Sequence, residues 1–225
     1  MKIAVIIVSV IALVLVGISL YLLDANKKLA LKADDVEEQR AAIAAELEAR
    51  IAAVSQEKED EIARLKGTYD ELVLSMQQEI EDGQVTITQL ADRLSVSMID
   101  KILFPSGEAN ITPEGLKVLE RVGKILKNTQ GKMIRVEGHT DNVPIHPNLQ
   151  EQFPTNWELS TTRATNVVRF LQDKVGIKGV RLHAVGMSEY HPVASNATSA
   201  GRSQNRRIEI NLLPEFAGGA PLTDK

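Results

Sequence analysis

The chain of 225 residues contains no cysteine. It therefore has no disulfide bond, no thiolate metal site and no cysteine that a lipid could modify. Aromatic residues make up only 4% of the chain and include a single tryptophan. The overall hydrophobic and charged contents, 44% and 25%, are ordinary for a soluble protein. The informative feature is therefore how these residues are distributed along the chain.

Charged residues are absent from Ile3 to Leu23, a run of 21 residues. As a helix rising 1.5 Å per residue, this run would extend about 31 Å, close to the hydrocarbon thickness of a bilayer. It is longer than the apolar core of most secretory signals, and the residues after it form a poor cleavage site. We therefore expect residues 1–24 to form a retained transmembrane anchor, with a cleaved signal as the alternative.

Proline is absent from Ala25 to Asp82, where strong helix formers dominate. Apolar residues recur there mostly at steps of three, four or seven, with a break in phase between Val54 and Ile62. This spacing predicts a helical coiled-coil stalk over residues 25–83, about 87 Å long if continuous, and with it a homodimer. Eight basic and fifteen acidic residues between 25 and 82 indicate a solvated acidic surface, and no part of the chain is basic enough to predict nucleic-acid binding.

Residues 84–214 carry the signals of an α+β domain. Strict alternation from Leu94 to Met98 predicts a half-buried strand, and Thr112-Pro113-Glu114 is typical of a helix start with Thr112 as N-cap. Asn156 is expected to cap a second helix that ends near Gly176. Further strands are predicted at about Met133–Glu137, Val180–Val185 and Arg207–Leu212. This order predicts a mixed four-stranded sheet with helices packed on one face, followed by a flexible tail at residues 215–225.

Three short motifs stand out within this domain: VEGHTDNVP from Val136, NWELSTTRA from Asn156 and GRSQNRRIEI from Gly201. They place an acid, an amide and several arginines at the predicted edges of the sheet. Together with FPSGEANITPEG from Phe104, they closely resemble the OmpA-like family of peptidoglycan-binding domains. The resemblance covers about residues 94–214, and three motifs in order are far more specific than one. Within the family, the segment from Phe153 to Leu171 is most similar to the C-terminal domain of MotB-type flagellar stator proteins.

The resemblance implies a non-catalytic protein that tethers the membrane to the cell wall by binding the diaminopimelate of peptidoglycan stem peptides. Asp141 matches the family's ammonium-binding aspartate, and Arg163 matches its carboxylate-binding arginine. Further ligand contacts are expected from Asn156, Arg206, Arg207 and Gly107.

Each of these residues also has a structural interpretation. Asp141 is placed for an Asx-turn, and at least one of Arg206 and Arg207 is expected to form an ion pair with Asp141 or Glu209. The single tryptophan, Trp157, is expected to be a packing residue rather than a platform for sugars.

The expected location is the bacterial inner membrane, crossed once, with the C-terminal domain in the periplasm and a membrane partner protein as a possibility. A flagellar stator component is the alternative function, but the run from Ile3 to Leu23 lacks the ionisable residue that ion conduction needs. Catalysis, a cofactor and a metal are not expected. His139, Asp141 and His146 match no zinc motif, and no nucleophile, phosphate-loop or dinucleotide motif is present.

Overall fold

A computed structural model of the chain describes residues 2–90 and 93–214, with side chains from residue 13 onward. The chain begins with one long helix, α1 (Lys2–Ser75). By its internal contacts it divides into two compact units, Met1–Glu59 and Asp60–Lys225.

The first unit is helical throughout its described residues, as expected for a segment without proline. Its recurring apolar side chains, Val36, Ile43, Leu47, Ile51 and Val54, are all exposed on the single chain. In the described part of the chain, no helix combines the length and the apolar character that crossing a bilayer requires. The predicted membrane span at residues 3–23 is therefore not confirmed, and the side chains of its first ten positions lie outside the described residues.

The second unit is an α+β domain around one mixed sheet. Its strands are β1 (Val85–Leu90), β2 (Arg93–Ile99), β3 (Lys132–His139), β4 (Leu182–Ser188) and β5 (Arg207–Pro214). Its further helices are α2 (Gln77–Glu81), α3 (Asp100–Leu103), α4 (Pro113–Lys127), α5 (Asn156–Phe170) and α6 (Ser199–Asn205). Short 3-10 turns at Pro147–Leu149 and Gly179–Arg181 and a π-turn at Leu171–Val175 complete it.

The sheet has five strands in the order β1-β2-β5-β3-β4, so the prediction of four strands was wrong. Only β3 and β4, joined through α5, run parallel. The missed strand, β1, pairs with β2 at the sheet edge, with Val85 opposite Met98. Only two of its three apolar residues, Val85 and Ile87, alternate, and this pattern is too short to distinguish from a loop.

The core lies between one face of the sheet and the helices. Alternate strand residues such as Val96, Val136 and Ile210 point into it, and α4 and α5 cover them. The end of the long helix also belongs here, because Leu65 and Leu72 are part of the same buried cluster. The sequence placed the end of the stalk at residue 83, whereas the second unit already begins at Asp60.

Polar contacts fix this end of the long helix to the domain. Arg121 donates to the carbonyl of Ser75 at 2.9 Å and pairs with Glu79. Lys132, on β3, pairs with Glu61. Residues 60–81 therefore belong to the domain. Their apolar side chains lie in its core, and ion pairs of Glu61 and Glu79 hold the two ends of the segment.

The helix starts agree only in part with the sequence. Thr112 caps α4, accepting a hydrogen bond from the amide of Gly115 at 2.9 Å, as predicted. For α5 the N-cap is Thr155, and Asn156 is its first helical residue, so the capping role predicted for Asn156 was wrong. The Thr155 amide in turn donates a hydrogen bond to the Glu158 carboxylate, which completes a capping box. This T-x-x-E pattern is readable in the sequence and frees the Asn156 side chain for other contacts.

A close approach of α5 to β3 sets the position of both elements. A Cβ atom on Gly138 would lie 2.2 Å from the Ser160 carbonyl oxygen, a distance that no side chain tolerates. The Ser160 hydroxyl also accepts a hydrogen bond from the amide of Ser188, at the end of β4. The first turns of α5 are thus held against the ends of two strands.

Gly138→Ala is expected to destabilise the domain by about 1–3 kcal/mol or more, because the added methyl meets backbone that cannot move aside. The measurement is thermal and urea unfolding followed by circular dichroism. Gly67→Ala is the matched control, since nothing lies within 4 Å of its added Cβ. That exposed helical change should be neutral or stabilising. Equal stability of the two variants would contradict the packing described.

Candidate functional site

Asp141 lies two residues past the end of β3 and is only 5% exposed. Its Oδ1 accepts a hydrogen bond from the Val143 amide at 3.0 Å, which is the Asx-turn anticipated from the sequence. Its Oδ2 forms an ion pair with Arg206. The carboxylate is therefore fixed in orientation by one bond and neutralised by another.

Arg163 projects from α5 and is 3% exposed. Its Nε donates to the carbonyl of Glu108 at 2.8 Å, and its Nη1 lies 3.0 Å from Oδ1 of Asp100. The guanidinium also lies over the ring of Phe104, 5.0 Å from the centroid. Burial lowers the pKa of Arg163, although the nearby Asp100 carboxylate acts in the opposite direction.

Asp100 is the residue that sequence reasoning missed. It follows β2 directly and is buried at the start of α3. Burial raises its pKa from a usual value of 3.8 to about 6, although Arg163 and Arg206 act to lower it. The sequence does contain one signal for Asp100, which is an acid directly after an alternating strand. In a fold of this kind, polar groups at the ends of strands lie together at one sheet edge.

The charged groups Asp100, Asp141, Arg163 and Arg206 thus form one cluster, which we call the charge clamp. The pKa of Asp100 responds to all three other members, which shows their electrostatic coupling. Two acids and two guanidiniums balance, so the clamp carries no formal net charge. Arg206 is the outermost member, with 39% of its side chain exposed.

Asn156 connects the clamp to its surroundings through its side-chain amide. The Nδ2 group donates to the carbonyls of Asp141 at 3.3 Å and Val143 at 3.2 Å, and to Oε2 of Glu189 at 2.7 Å. The structure therefore brings Asn156 to the clamp, as the sequence predicted, but as a positioning group on the backbone around Asp141.

Gly107 lies in the loop after α3, one residue before the carbonyl that receives Arg163. Its φ is +75°, and a Cβ atom would lie 2.6 Å from Cδ1 of Leu149. The positive φ favours glycine at this position, and an added Cβ would also displace the Leu149 methyl group. Its expected contact with a ligand stays a prediction.

Arg207 does not join the clamp, in contrast to its neighbour Arg206. It is buried on β5, where its Nε lies 2.6 Å from Oε1 of Glu209. Its remaining described bonds go to the carbonyls of His191 and Asn205. Both arginines therefore form the kind of ion pair foreseen from the sequence, and Arg207 is a structural residue on the sheet.

A second polar group lies on the sheet face opposite the hydrophobic core. Glu137, His139 and Glu209 can bring one ligand atom each within 4.8 Å of one another. Burial acts to raise the pKa of Glu137, but contacts with His139 and Arg135 outweigh it and lower the pKa. Arg135 lies 2.6 Å from Glu137, close but poorly aligned for a hydrogen bond. Because Arg135 lies beside Glu137 and Arg207 pairs with Glu209, both carboxylates are neutralised without a metal ion.

Asp100→Asn is expected to remove one component of the pH dependence of stability. The folded domain keeps the Asp100 proton up to about pH 6, whereas the unfolded chain loses it near pH 4. The folded state therefore binds more protons in this interval, and Asp100 makes stability fall as the pH rises from about 4 to about 6. The melting temperature of wild type, relative to that of the variant, should fall as the pH rises from about 4 to about 6 and should change little from pH 6 to 7. With exposed Asp173→Asn as control, a difference that does not change with pH would refute the assignment.

Comparisons with known proteins agree with the fold. Residues 103–206 match the model of the OmpA family. Motility protein B of Bacillus subtilis (strain 168) is 35% identical over 136 residues, which are 60% of this chain and 51% of that protein. Peptidoglycan-binding protein ArfA of Mycobacterium tuberculosis is 34% identical over 109 residues, 48% of this chain and 31% of that protein. The chain thus spans about half or less of the length of these two relatives.

A solved structure is matched over nearly its whole length. The cell wall anchor of the T6SS from Pseudomonas aeruginosa is 35% identical, with 64% of this chain and 97% of that chain covered and a TM-score of 0.58. Because nearly all of that structure is matched and the family model covers the segment from Leu103 to Arg206 that contains the motifs, this chain belongs to the OmpA family.

Proposed function

We propose that this protein is a non-catalytic tether whose C-terminal domain binds diaminopimelate in peptidoglycan stem peptides. The observation that carries the proposal is the charge clamp, in which the buried Asp141 carboxylate and the buried Arg163 guanidinium belong to one cluster of interacting charges. A diaminopimelate residue presents an ammonium and a carboxylate on one carbon atom. Recognition of such a group requires a fixed anion and a fixed cation together, which Asp141 and Arg163 supply.

Binding exchanges internal charge pairs for pairs with the ligand. The ligand ammonium takes the place that Arg206 now occupies on Asp141. The ligand carboxylate pairs with Arg163 and with the displaced Arg206. Because Asp141 and Arg163 are nearly inaccessible, the ligand reaches them only when the half-exposed Arg206 side chain swings outward.

Asp100 and Asn156 keep Arg163 and Asp141 in place during this exchange. Asp100 and the Glu108 carbonyl fix two sides of the Arg163 guanidinium, which leaves its orientation defined when Arg206 moves. Asn156 fixes the backbone on both sides of the Asx-turn at Asp141. Preorganised charges bind a zwitterion without a new ordering cost.

The similar proteins support this proposal through what their names state. One is a cell wall anchor and another a peptidoglycan-binding protein. The clamp groups are two acids, two guanidiniums and an amide, a set suited to holding charge. We therefore assign binding and no bond cleavage to this site.

The rest of the chain places the domain at a distance from a membrane. We propose that residues 1–24 anchor the protein in the bacterial inner membrane by a single crossing, with the C-terminal domain in the periplasm. Within the predicted stalk at residues 25–83, the part up to Glu59 pairs with a second copy, which covers the exposed apolar side chains from Val36 to Val54. The support for the anchor is the charge-free run from Ile3 to Leu23.

A flagellar stator component is the second candidate, favoured by the identity of 35% with Motility protein B. Such a role requires a membrane partner protein and an ionisable group within the span. The run from Ile3 to Leu23 contains no ionisable residue, and Asp24 lies at its end. The tether is therefore the better proposal.

Asp141→Asn and Arg163→Lys are expected to weaken co-sedimentation of the full chain, in mild detergent, with purified sacculi that contain diaminopimelate. Each change removes one charge-assisted contact, so affinity should fall by about 10- to 100-fold. We choose these near-isosteric variants because both residues are buried in ion pairs. Alanine would leave a partner charge uncompensated, at a cost of about 3–5 kcal/mol of stability.

Asp173→Asn and Arg169→Lys are the matched controls, since they make the same chemical changes at exposed positions of the same domain. Sacculi with lysine at the third stem position form the ligand control, because lysine carries no carboxylate beside its side-chain ammonium. Wild-type binding by Asp141→Asn, or equal binding to both kinds of sacculi, would refute the diaminopimelate site.

Leu47→Glu combined with Ile51→Glu is expected to convert the full chain from dimer to monomer, because two charges would enter the apolar stripe. The control is Ala45→Glu with Ala49→Glu, which adds the same charges at the same spacing about 200° around the helix. Light scattering during gel filtration in detergent gives the masses. A monomeric wild type, or dimers in both variants, would rule out pairing through the stalk.

A further inference from the structure

The single tryptophan of the chain lies on the surface beside the charge clamp. Trp157 is 46% exposed and its neighbour Tyr190 is 64% exposed. Their ring centroids are 5.6 Å apart and their planes meet at 30°. We call this pair the aromatic ledge. The expectation that Trp157 is a packing residue does not match its position.

Exposed aromatic residues that occur singly need no special explanation, but a contacting pair is different. Val143, another exposed apolar residue, lies next to the same amide contacts. In a chain with 4% aromatic residues, this gathering beside a polar site is the kind of patch that marks a binding surface.

The ledge is fixed to the clamp through one amide. Asn156 precedes Trp157, and Glu189 precedes Tyr190; the Asn156 amide donates to the Glu189 carboxylate at 2.7 Å. The same amide donates to the carbonyl of Asp141. The positions of both aromatic residues are therefore set relative to the carboxylate that we assign to the ligand ammonium.

We propose that the aromatic ledge is a second subsite, which takes a sugar ring of the peptidoglycan glycan strand; this proposal rests on the function proposed above. A pyranose ring has one face lined with C–H groups, which lose little by leaving water and pack well on an indole or phenol ring. Glu189, half-buried beside Tyr190, offers a carboxylate that can accept a hydrogen bond from a sugar hydroxyl.

The covalent structure of peptidoglycan fits this arrangement. Diaminopimelate is the third residue of the stem peptide, and the first residue is joined to a sugar. The two intervening residues span roughly 7 Å or more, and the diaminopimelate side chain and the lactyl link lengthen the tether further. A sugar tethered to a clamped diaminopimelate therefore lies within reach of side chains one residue away from Asn156.

The test compares two soluble ligands that contain the same diaminopimelate tetrapeptide, one free and one carrying its disaccharide. Titration calorimetry uses the full chain in mild detergent. For wild type, the disaccharide should raise affinity about 3- to 10-fold. Trp157→Ala and Tyr190→Ala should each lower this gain while leaving the affinity for free peptide unchanged, and Trp157→Phe should keep part of it. Val180→Ala, an equally exposed apolar truncation elsewhere, should behave as wild type.

The outcomes separate the two proposals. If the disaccharide adds nothing to wild-type affinity, or if Trp157→Ala and Tyr190→Ala keep the full gain, the sugar subsite is overturned and the ledge serves another partner, such as a protein. In that case weakened binding of both ligands by Asp141→Asn still supports the clamp. If Asp141→Asn binds both ligands as wild type does, the proposed function itself fails.

Discussion

The ion pair between Asp100 and Arg163 is the contact on which the site depends. It joins the end of β2 to the middle of α5, and the same guanidinium holds the Glu108 carbonyl and lies over Phe104. Two charges withdrawn from water are costly, which is why burial shifts both pKa values toward the neutral forms. Each partner fixes the position of the other. Together they hold the end of β2, the loop at Glu108 and α5 in a common position.

The sequence predicted most of the sheet and the main members of the clamp because these depend on local pattern. Alternation identified β2, β3, β4 and β5, and the motifs identified Asp141, Arg163 and Arg206. Asp100 escaped because its importance comes from a partner 63 positions away, which no local pattern reports. The edge strand β1 was missed for a related reason. Its short alternation does not predict a strand, and it is the pairing with β2 that makes the segment a strand.

The two neighbouring arginines show where sequence reasoning reaches its limit. Arg206 and Arg207 are chemically identical, and the motif alone cannot divide their roles. The structure does, because Arg206 is the residue just before β5, whereas Arg207 is already in the ladder opposite His139. Arg207 is then held by Glu209 and by two backbone carbonyls, and only Arg206 can exchange partners. A one-residue difference in register thus separates a ligand-exchanging group from a structural one.

A clamp that is closed by its own charges limits the affinity of a single domain. Breaking the Arg206 pair offsets much of what the ligand ammonium gains on Asp141, so the net free energy of binding is the small difference between two similar contacts. A sugar contact on the aromatic ledge adds to that difference without any exchange. The proposed pairing of two chains through the stalk would add more, because the second domain would then bind a wall that is already near. The proposed tether would need only modest contacts with the cell wall in each domain, provided that several contacts act together and each can dissociate.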